Sequence, residues 1–308
     1  MADNLAFDLG SNFGDSVSDD AVILDFDGSA DTVENARKLS LTQFGEKIWY
    51  AATFKSMDRL ESAIVNGAEG AKVFFTGSGD FHHVTYALVK AFAKQTFRLP
   101  VQMVVFDNHP DNMIFPGGIH CGSWVYHVGR LPFVAAVSVF GIASNDLGGV
   151  NLFQNHYCAI RKGKVKYYCL APVPKLARLM GGMGIVDLSQ ERGRLAEIVR
   201  GVVKGIGLPV YLSVDKDVLC ADAARTSWDQ GLMGNEELLE CISAVAGDVV
   251  IADVTGEIAG EKFKSRLKKF FRWIDGGTAI LPDEQAQRQK HREINGEILR
   301  CLTHFRST

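Results

Sequence analysis

The chain has 308 residues, 47% of them hydrophobic, and a formal net charge of −3. That is enough apolar material for one large domain or two modest ones, and no basic block interleaved with aromatics marks a nucleic-acid partner. Six cysteines, Cys121, Cys158, Cys169, Cys220, Cys241 and Cys301, lack C-x-x-C spacing, which fits free thiols in a reducing compartment. The start, Met1-Ala2-Asp3-Asn4-Leu5, is acidic and has no secretory-signal pattern. No apolar run approaches the ~20 residues of a membrane helix, so the expectation is a cytoplasmic protein without a membrane partner.

Short apolar runs alternate with amphipathic stretches, the pattern of a parallel sheet covered by helices on both faces. In chain order the pattern predicts a strand over 21–26, a helix over 30–45, a strand over 47–51, a helix over 56–66, a strand over 72–76 and a helix over 83–95. Strands follow over 101–106, 133–140 and 184–187, then a helix over 189–205, a strand over 209–214, a helix over 235–246, a strand over 248–253 and a helix over 260–273. Residues 141–173 break this rhythm, and the alternating run Val165-Lys166-Tyr167-Tyr168-Cys169-Leu170 predicts an antiparallel strand or hairpin extending the sheet. Residues 282–308 read as a C-terminal amphipathic helix that covers the sheet or contacts another subunit. With no repeat and no long linker, the expected fold is α/β: one domain over 1–308, a three-layer αβα sandwich on a mostly parallel sheet of roughly eight strands.

The chemistry concentrates at strand ends. The run Val104-Val105-Phe106 leads into Asp107-Asn108-His109-Pro110-Asp111, which sets three metal-binding side chains on alternate residues. Alternate residues of an extended chain point the same way at intervals of roughly 6–7 Å, so Asp107, His109 and Asp111 can converge on one site. A second run, Val210-Tyr211-Leu212-Ser213-Val214, ends in Asp215-Lys216-Asp217 and repeats the device. Open α/β sheets place their ligands in the crevice beyond such carboxyl ends. Gly77-Ser78-Gly79-Asp80-Phe81-His82-His83 adds a glycine-rich turn opening a helix, and Pro116-Gly117-Gly118-Ile119-His120-Cys121-Gly122 adds a histidine loop. Imidazoles gathered with four carboxylates form a hard, oxygen-rich set suited to Mn²⁺, with Mg²⁺, Fe²⁺ or Zn²⁺ as alternatives.

These motifs, in this order, resemble the ureohydrolase family of arginases and agmatinases. The family's G-G-D-H-S turn, D-A-H-x-D strand end, histidine-glycine loop, S-x-D-x-D strand end and late glutamate correspond here to GSGDFHH, DNHPD, HCG, SVDKD and ADVTGE, and Phe26-Asp27-Gly28-Ser29 looks like its first strand end. The continuation His82-His83-Val84-Thr85-Tyr86-Ala87-Leu88 is close to the agmatinase-like H-S-I-T-Y-P-L, which selects His82 as the ligand and leaves His83 beside it. The resemblance implies an arginase-like fold and two Mn²⁺ per chain. His82, Asp107, Asp111 and Asp215 would hold one ion, and Asp107, His109, Asp215 and Asp217 the other. It further implies a hydroxide shared by the ions that attacks a guanidino or amidino carbon of a small molecule. Asp111 would relay the proton to the leaving amine, His120 would shuttle protons, and Glu257 would contact the substrate. Relatives commonly assemble as trimers or hexamers, so a homo-oligomer is allowed, but no residue here fixes the assembly.

The chain departs from the pattern in ways that leave the metal residues and rebuild the pocket. Phe81 is inserted before His82, Thr226-Ser227-Trp228-Asp229-Gln230-Gly231 replaces a glycine-rich segment, Glu257 sits in D-x-x-x-E rather than D-x-x-E, and nothing matches arginase's readers of an amino acid's α-carboxylate. The expectation is therefore a non-arginine substrate, with Trp228 or Phe81 walling the pocket. Other readings stay open. Ala21-Val22-Ile23-Leu24-Asp25-Phe26-Asp27-Gly28-Ser29 resembles the first motif of haloacid-dehalogenase-like phosphatases, with Asp25 as nucleophile and Asp27 as acid. Cys121 beside His120 has the makings of an activated thiol. A non-catalytic binding protein and an N-acyl deacetylase are compatible with the same fold.

Overall fold

The structure is a computed structural model and describes residues 18–30, 32–34, 36–93, 100–259, 263–275 and 283–304. The acidic start Met1–Leu5 lies outside them, as do residues 94–95 and 260–262 of two predicted helices and the ends of the predicted tail helix.

Nine strands form one sheet: β1 (Ser18–Asp25), β2 (Ala36–Ser40), β4 (Val73–Phe75), β5 (Val101–Phe106), β7 (Val134–Ile142), β8 (Val165–Cys169), β9 (Ile185–Asp187), β10 (Val210–Asp215) and β11 (Val249–Thr255). Their order is β2-β1-β4-β11-β10-β5-β7-β8-β9, and every pairing is parallel. The residues of β5 and β10 are all buried, as strands covered on both faces require. The remaining two strands, β3 (Ala51–Ala52) and β6 (Ile119–His120), pair antiparallel outside the sheet. The helices are α1 (Thr42–Ile48), α2 (Phe54–Gly67), α3 (Val84–Ala93), α4 (Trp124–Val128), α5 (Tyr157–Arg161), α6 (Lys175–Gly181), α7 (Leu195–Ile206), α8 (Asn235–Val245), α9 (Arg266–Ile274) and α10 (Glu284–His304). One buried apolar cluster gathers α2, α3 and α4 over one face, and a second gathers α7, α8 and α10 over the other. This is the expected αβα sandwich. No helix of the described residues is long and apolar enough to cross a membrane.

Four local expectations are corrected. The helix expected over 30–45 is replaced by edge strand β2 followed by α1; Ala30, Val33, Leu41 and Phe44 have helical spacing, but Ala36–Ser40 pairs with β1 and exposes Arg37, Lys38 and Ser40 at the edge. The strand expected over 47–51 is the end of α1 and a turn in which Tyr50 takes a φ of 63° before two-residue β3. The alternating run at 165–170 is not antiparallel: β8 lies between β7 and β9, parallel to both, with only Lys166 exposed. Helix α6 forms where no element was expected, burying Ala177 and leaving Leu176 and Leu179 exposed.

From β5 the chain moves outward through β7, β8 and β9, then returns through α7 to β10 on the other side of β5. That reversal opens a crevice beyond the carboxyl ends of β5 and β10. Helix α9 borders it and is fastened by its cations. Lys268 Nζ donates to the carbonyls of Glu46, Lys47 and Ala51, and Arg272 Nε to Asp80 Oδ1 at 2.6 Å.

Candidate metal centre

Phe106 and Val214 are register partners, so Asp107, just past β5, and Asp215, ending β10, leave the sheet side by side. The helical turn after β4, Gly79–Phe81, delivers His82 to them. His82 Nδ1 lies 3.2 Å from Asp107 Oδ2, 3.1 Å from Asp111 Oδ2 and 3.3 Å from Asp215 Oδ2. A single ring nitrogen has at most one proton to share, whereas a cation in that space would satisfy all three carboxylates. His109 Nδ1 lies 3.0 Å from Asp217 Oδ2 and 3.5 Å from Asp107 Oδ1. Potential ligand atoms of His82, Asp107 and Asp111 lie within 4.8 Å of one another, as do those of Asp107, His109 and Asp217, with Asp107 common to both groups. Asp107 Oδ2 is buried and accepts no hydrogen bond. The donor set and its geometry fit two adjacent hard cations.

Both imidazoles turn Nδ1 toward the carboxylates and use Nε2 elsewhere, as histidine ligands do. His82 Nε2 meets Ser213 Oγ at 3.0 Å, and Ser213 Oγ donates to Asp253 Oδ1 at 2.8 Å. Thr85 Oγ1 and the Tyr211 hydroxyl also donate to Asp253. His109 Nε2 meets Asp229 Oδ1 at 2.7 Å. Asp111 is held in the left-handed region at φ 45°, and Trp124 Nε1 donates to its Oδ2 at 2.6 Å. Such strain in a non-glycine residue is characteristic of functional positions.

The protein's own charges do not balance this cluster. Burial and the adjacent Asp107 carboxylate push both Asp111 and Asp217 up to about 7, and burial with the Asp217 carboxylate raises Asp215. Against the lowering effect of burial, the adjacent Asp107 and Asp111 carboxylates hold His82 well above its ordinary range, and the charge of Asp217 does the same for His109. Divalent cations would relieve the crowding.

The centre floors a cavity of about 310 Å³, within the size range of small-molecule sites. His120 lines it, stacked on Tyr50 with ring centroids 5.7 Å apart, and its Nδ1 accepts from the Gly122 amide at 3.0 Å. Trp228 lines it too, with the Arg272 guanidinium 5.2 Å from its ring centroid. Phe81 does not: it is fully buried between Phe26 and Phe263, which removes it from the pocket wall. Glu257 is likewise not among the lining residues; it pairs with Lys216 and accepts from Asn295 Nδ2 at 2.7 Å. Gly256, just before Glu257 and at φ 85°, passes so close to β10 that a Cβ would lie 2.4 Å from Asp215 Oδ1. Cys121 is buried at the cavity wall and its thiol is raised by burial, the reverse of an activated nucleophile. Asp25 and Asp27 lie elsewhere: Asp25 is bound by Lys38 at 3.0 Å and the Gly28 amide, Asp27 by Ser29. His83 is fully buried beside the centre and is lowered to about 3, chiefly by burial.

Sequence reasoning missed Asp253 and the carboxylates of Asp146, Asp229 and Asp275 on the cavity wall. Asp253 had a signal, a carboxylate inside the apolar run Ile251-Ala252-Asp253-Val254. The other three sit on loops or just past a helix end, where spacing carries no information about direction.

A model described as the arginase family matches residues 24–258. An uncharacterized protein of Thermotoga maritima is 26% identical over 239 residues, 76% of this chain and 78% of its own. Among solved structures, arginase from Bacillus caldovelox superposes with a TM-score of 0.56 at 16% identity, covering 92% of this chain and 96% of that one. Formiminoglutamase of Trypanosoma cruzi with Mn²⁺ superposes at 0.52 and 14% identity, covering 83% and 74%.

Proposed function

Since the chain belongs to the arginase family, we propose that it is a hydrolase with two Mn²⁺ per chain that cleaves a non-peptide C–N bond in a cationic guanidino or amidino compound bearing no carboxylate. The observation that carries this reading is a cavity whose floor gathers His82, Asp107, His109, Asp111, Asp215 and Asp217 and whose lining, among the described residues, includes Asp146, Asp229 and Asp275 but no lysine or arginine.

His82, Asp107, Asp111 and Asp215 would hold one ion and Asp107, His109, Asp215 and Asp217 the other. Bound there, the pair would supply Lewis acidity and a water acidic enough to attack near neutral pH. The chain's residues do the rest. Trp124 fixes Asp111 Oδ2, leaving Oδ1 to carry a proton toward the departing nitrogen. His120 accepts at Nδ1 from Gly122, so its proton resides on Nε2, available to the leaving group.

The substrate's charge follows from the wall. Four ligand carboxylates offset two divalent cations, so Asp146, Asp229 and Asp275 decide the sign of what remains. A guanidinium or amidinium enters with that field, and a substrate carboxylate enters against it. Trp228 adds an aromatic wall for the cation.

Reconstitution with Mn²⁺, elemental analysis and a screen for urea or ammonia release test the reading. Near two ions per chain with faster turnover of alkylguanidines than of guanidino acids is expected. Retention of no ion would favour a non-catalytic binding protein, and a preference for guanidino acids would overturn the substrate class.

A further inference from the structure

Two positions at which this chain departs from the family pattern touch each other. In D-A-H-x-D the alanine position is Asn108, fully buried, and its Nδ2 donates to Asp229 Oδ2 and to the Asp229 carbonyl, each at 3.2 Å. Asp229 belongs to the rebuilt segment Thr226–Gly231, and its other oxygen, Oδ1, lies 2.7 Å from His109 Nε2. The segment is anchored to its surroundings at both ends. The Gly231 amide donates to the Asp217 carbonyl at 2.6 Å, and Ser227 Oγ accepts from the Ala259 amide at 2.9 Å. At Gly231 a Cβ would lie 2.2 Å from the Val218 carbonyl oxygen, so only glycine lets the segment pass this close.

We propose that Asp229 is a positioning residue for His109: clamped by Asn108, it accepts the Nε2 proton, selects the tautomer with a bare Nδ1, and aims that nitrogen between Asp107 and Asp217. A neutral imidazole has one proton for two nitrogens, and a carboxylate at one nitrogen makes the other a better ligand. His82 is anchored differently, through the buried hydroxyl of Ser213 and then Asp253. The influence of Asp229 is therefore confined to the ion that His109 would hold. This inference rests on the two-ion reading and identifies what secures one of its two positions.

The test uses the full chain and its D229A, D229N and N108A variants, with Mn²⁺ titrated calorimetrically and followed by electron paramagnetic resonance. D229A should weaken one of the two ions ~10–100-fold, leave the other near its wild-type affinity, and replace the signal of a coupled Mn²⁺ pair by that of a lone ion at sub-saturating metal. D229N keeps an acceptor at Nε2 and should recover much of the loss. N108A should weaken the same ion less, and its effect should not add to that of D229A. If D229A binds both ions as the wild type does, or weakens both equally together with a fall in metal-free melting temperature, the positioning role is wrong. A wild-type chain that takes up no Mn²⁺ overturns the hydrolase reading and this inference together; two ions in both proteins overturns the inference alone.

Discussion

Lys216, which stands between the two aspartates of the S-x-D-x-D motif, is completely buried and pairs its ammonium with the carboxylate of Glu257. Asn295 completes the cluster from α10, accepting from Lys216 Nζ at 2.8 Å and donating to Glu257 Oε1 at 2.7 Å. The late glutamate is thus matched to a cation of the chain itself, and it ties the C-terminal helix to the strand end that bears Asp215 and Asp217.

Removing one member of this pair should act on stability before it acts on substrate. Glu257→Gln leaves the Lys216 ammonium buried without its counter-charge, a loss of ~3–5 kcal/mol that denaturant unfolding would register, with KM close to wild type. A variant that unfolds like the wild type but binds substrate poorly would instead make Glu257 a substrate contact.

His109→Ala and Asp217→Ala should each lose metal and activity together while the far-ultraviolet circular dichroism stays native. The affected side chains lie at the cavity floor, beyond the strands, so the sheet does not depend on them. Full activity in either variant would end the two-ion assignment.

In chelated protein the contribution of the candidate ligands to stability should fall as the pH rises from about 4 to about 7, while His83 and His120, lowered to about 3 and about 4 chiefly by burial, act in the opposite sense. Asp111 and Asp217 titrate near 7 in the fold, raised by burial and the Asp107 carboxylate, against an ordinary value of 3.8. These two groups therefore hold more protons in the folded state than in the unfolded one across this window, and their contribution to stability falls with pH. His82 and His109, raised above 6.5, contribute stability that is full below 6.5 and lost as the pH climbs through their folded values, which extends the decline. Asp107, depressed in the fold by His109 and His82 beside it in spite of burial, contributes stability that is lost only below the window. Mn²⁺ takes the place of these protons, so the melting-temperature gap between Mn²⁺-loaded and chelated protein should widen with pH. A gap that stays constant from pH 4 to 8 would mean that the ligands release no protons.

Replacing His120 by alanine should cost turnover ~10²–10⁴-fold while leaving metal content unchanged. Burial lowers this imidazole to about 4, so it is neutral throughout the neutral range and acts through its Nε2 proton. Parallel loss of metal and activity would assign it to the ligand set.

The metal residues were legible because their information is local. Asp107, His109 and Asp111, and then Asp215 and Asp217, follow apolar runs that could only be buried strands, and a period of two fixes their common direction. Edge strand β2 was not legible: Ala30, Val33, Leu41 and Phe44 mimic a helical stripe, and only pairing with β1 discriminates. The same holds for β8, whose alternation was misread because orientation belongs to the sheet. Phe81 and Glu257 show the limit for single side chains. One was a plausible wall until Phe26 and Phe263 enclosed it, and the other a plausible substrate contact until Lys216 stood beside it.

By itself, then, the sequence determined the αβα class and put five candidate ligands at two strand ends, since periodicity and motif spacing act over a few residues, and the family resemblance added His82. Only the tertiary structure decided that Asp229 meets His109 across 120 positions of chain, that Asn108 holds it there, and that Asp146 and Asp275 share the cavity wall. Such contacts arise where loops from separate strand ends converge, and no local pattern encodes the distance between them.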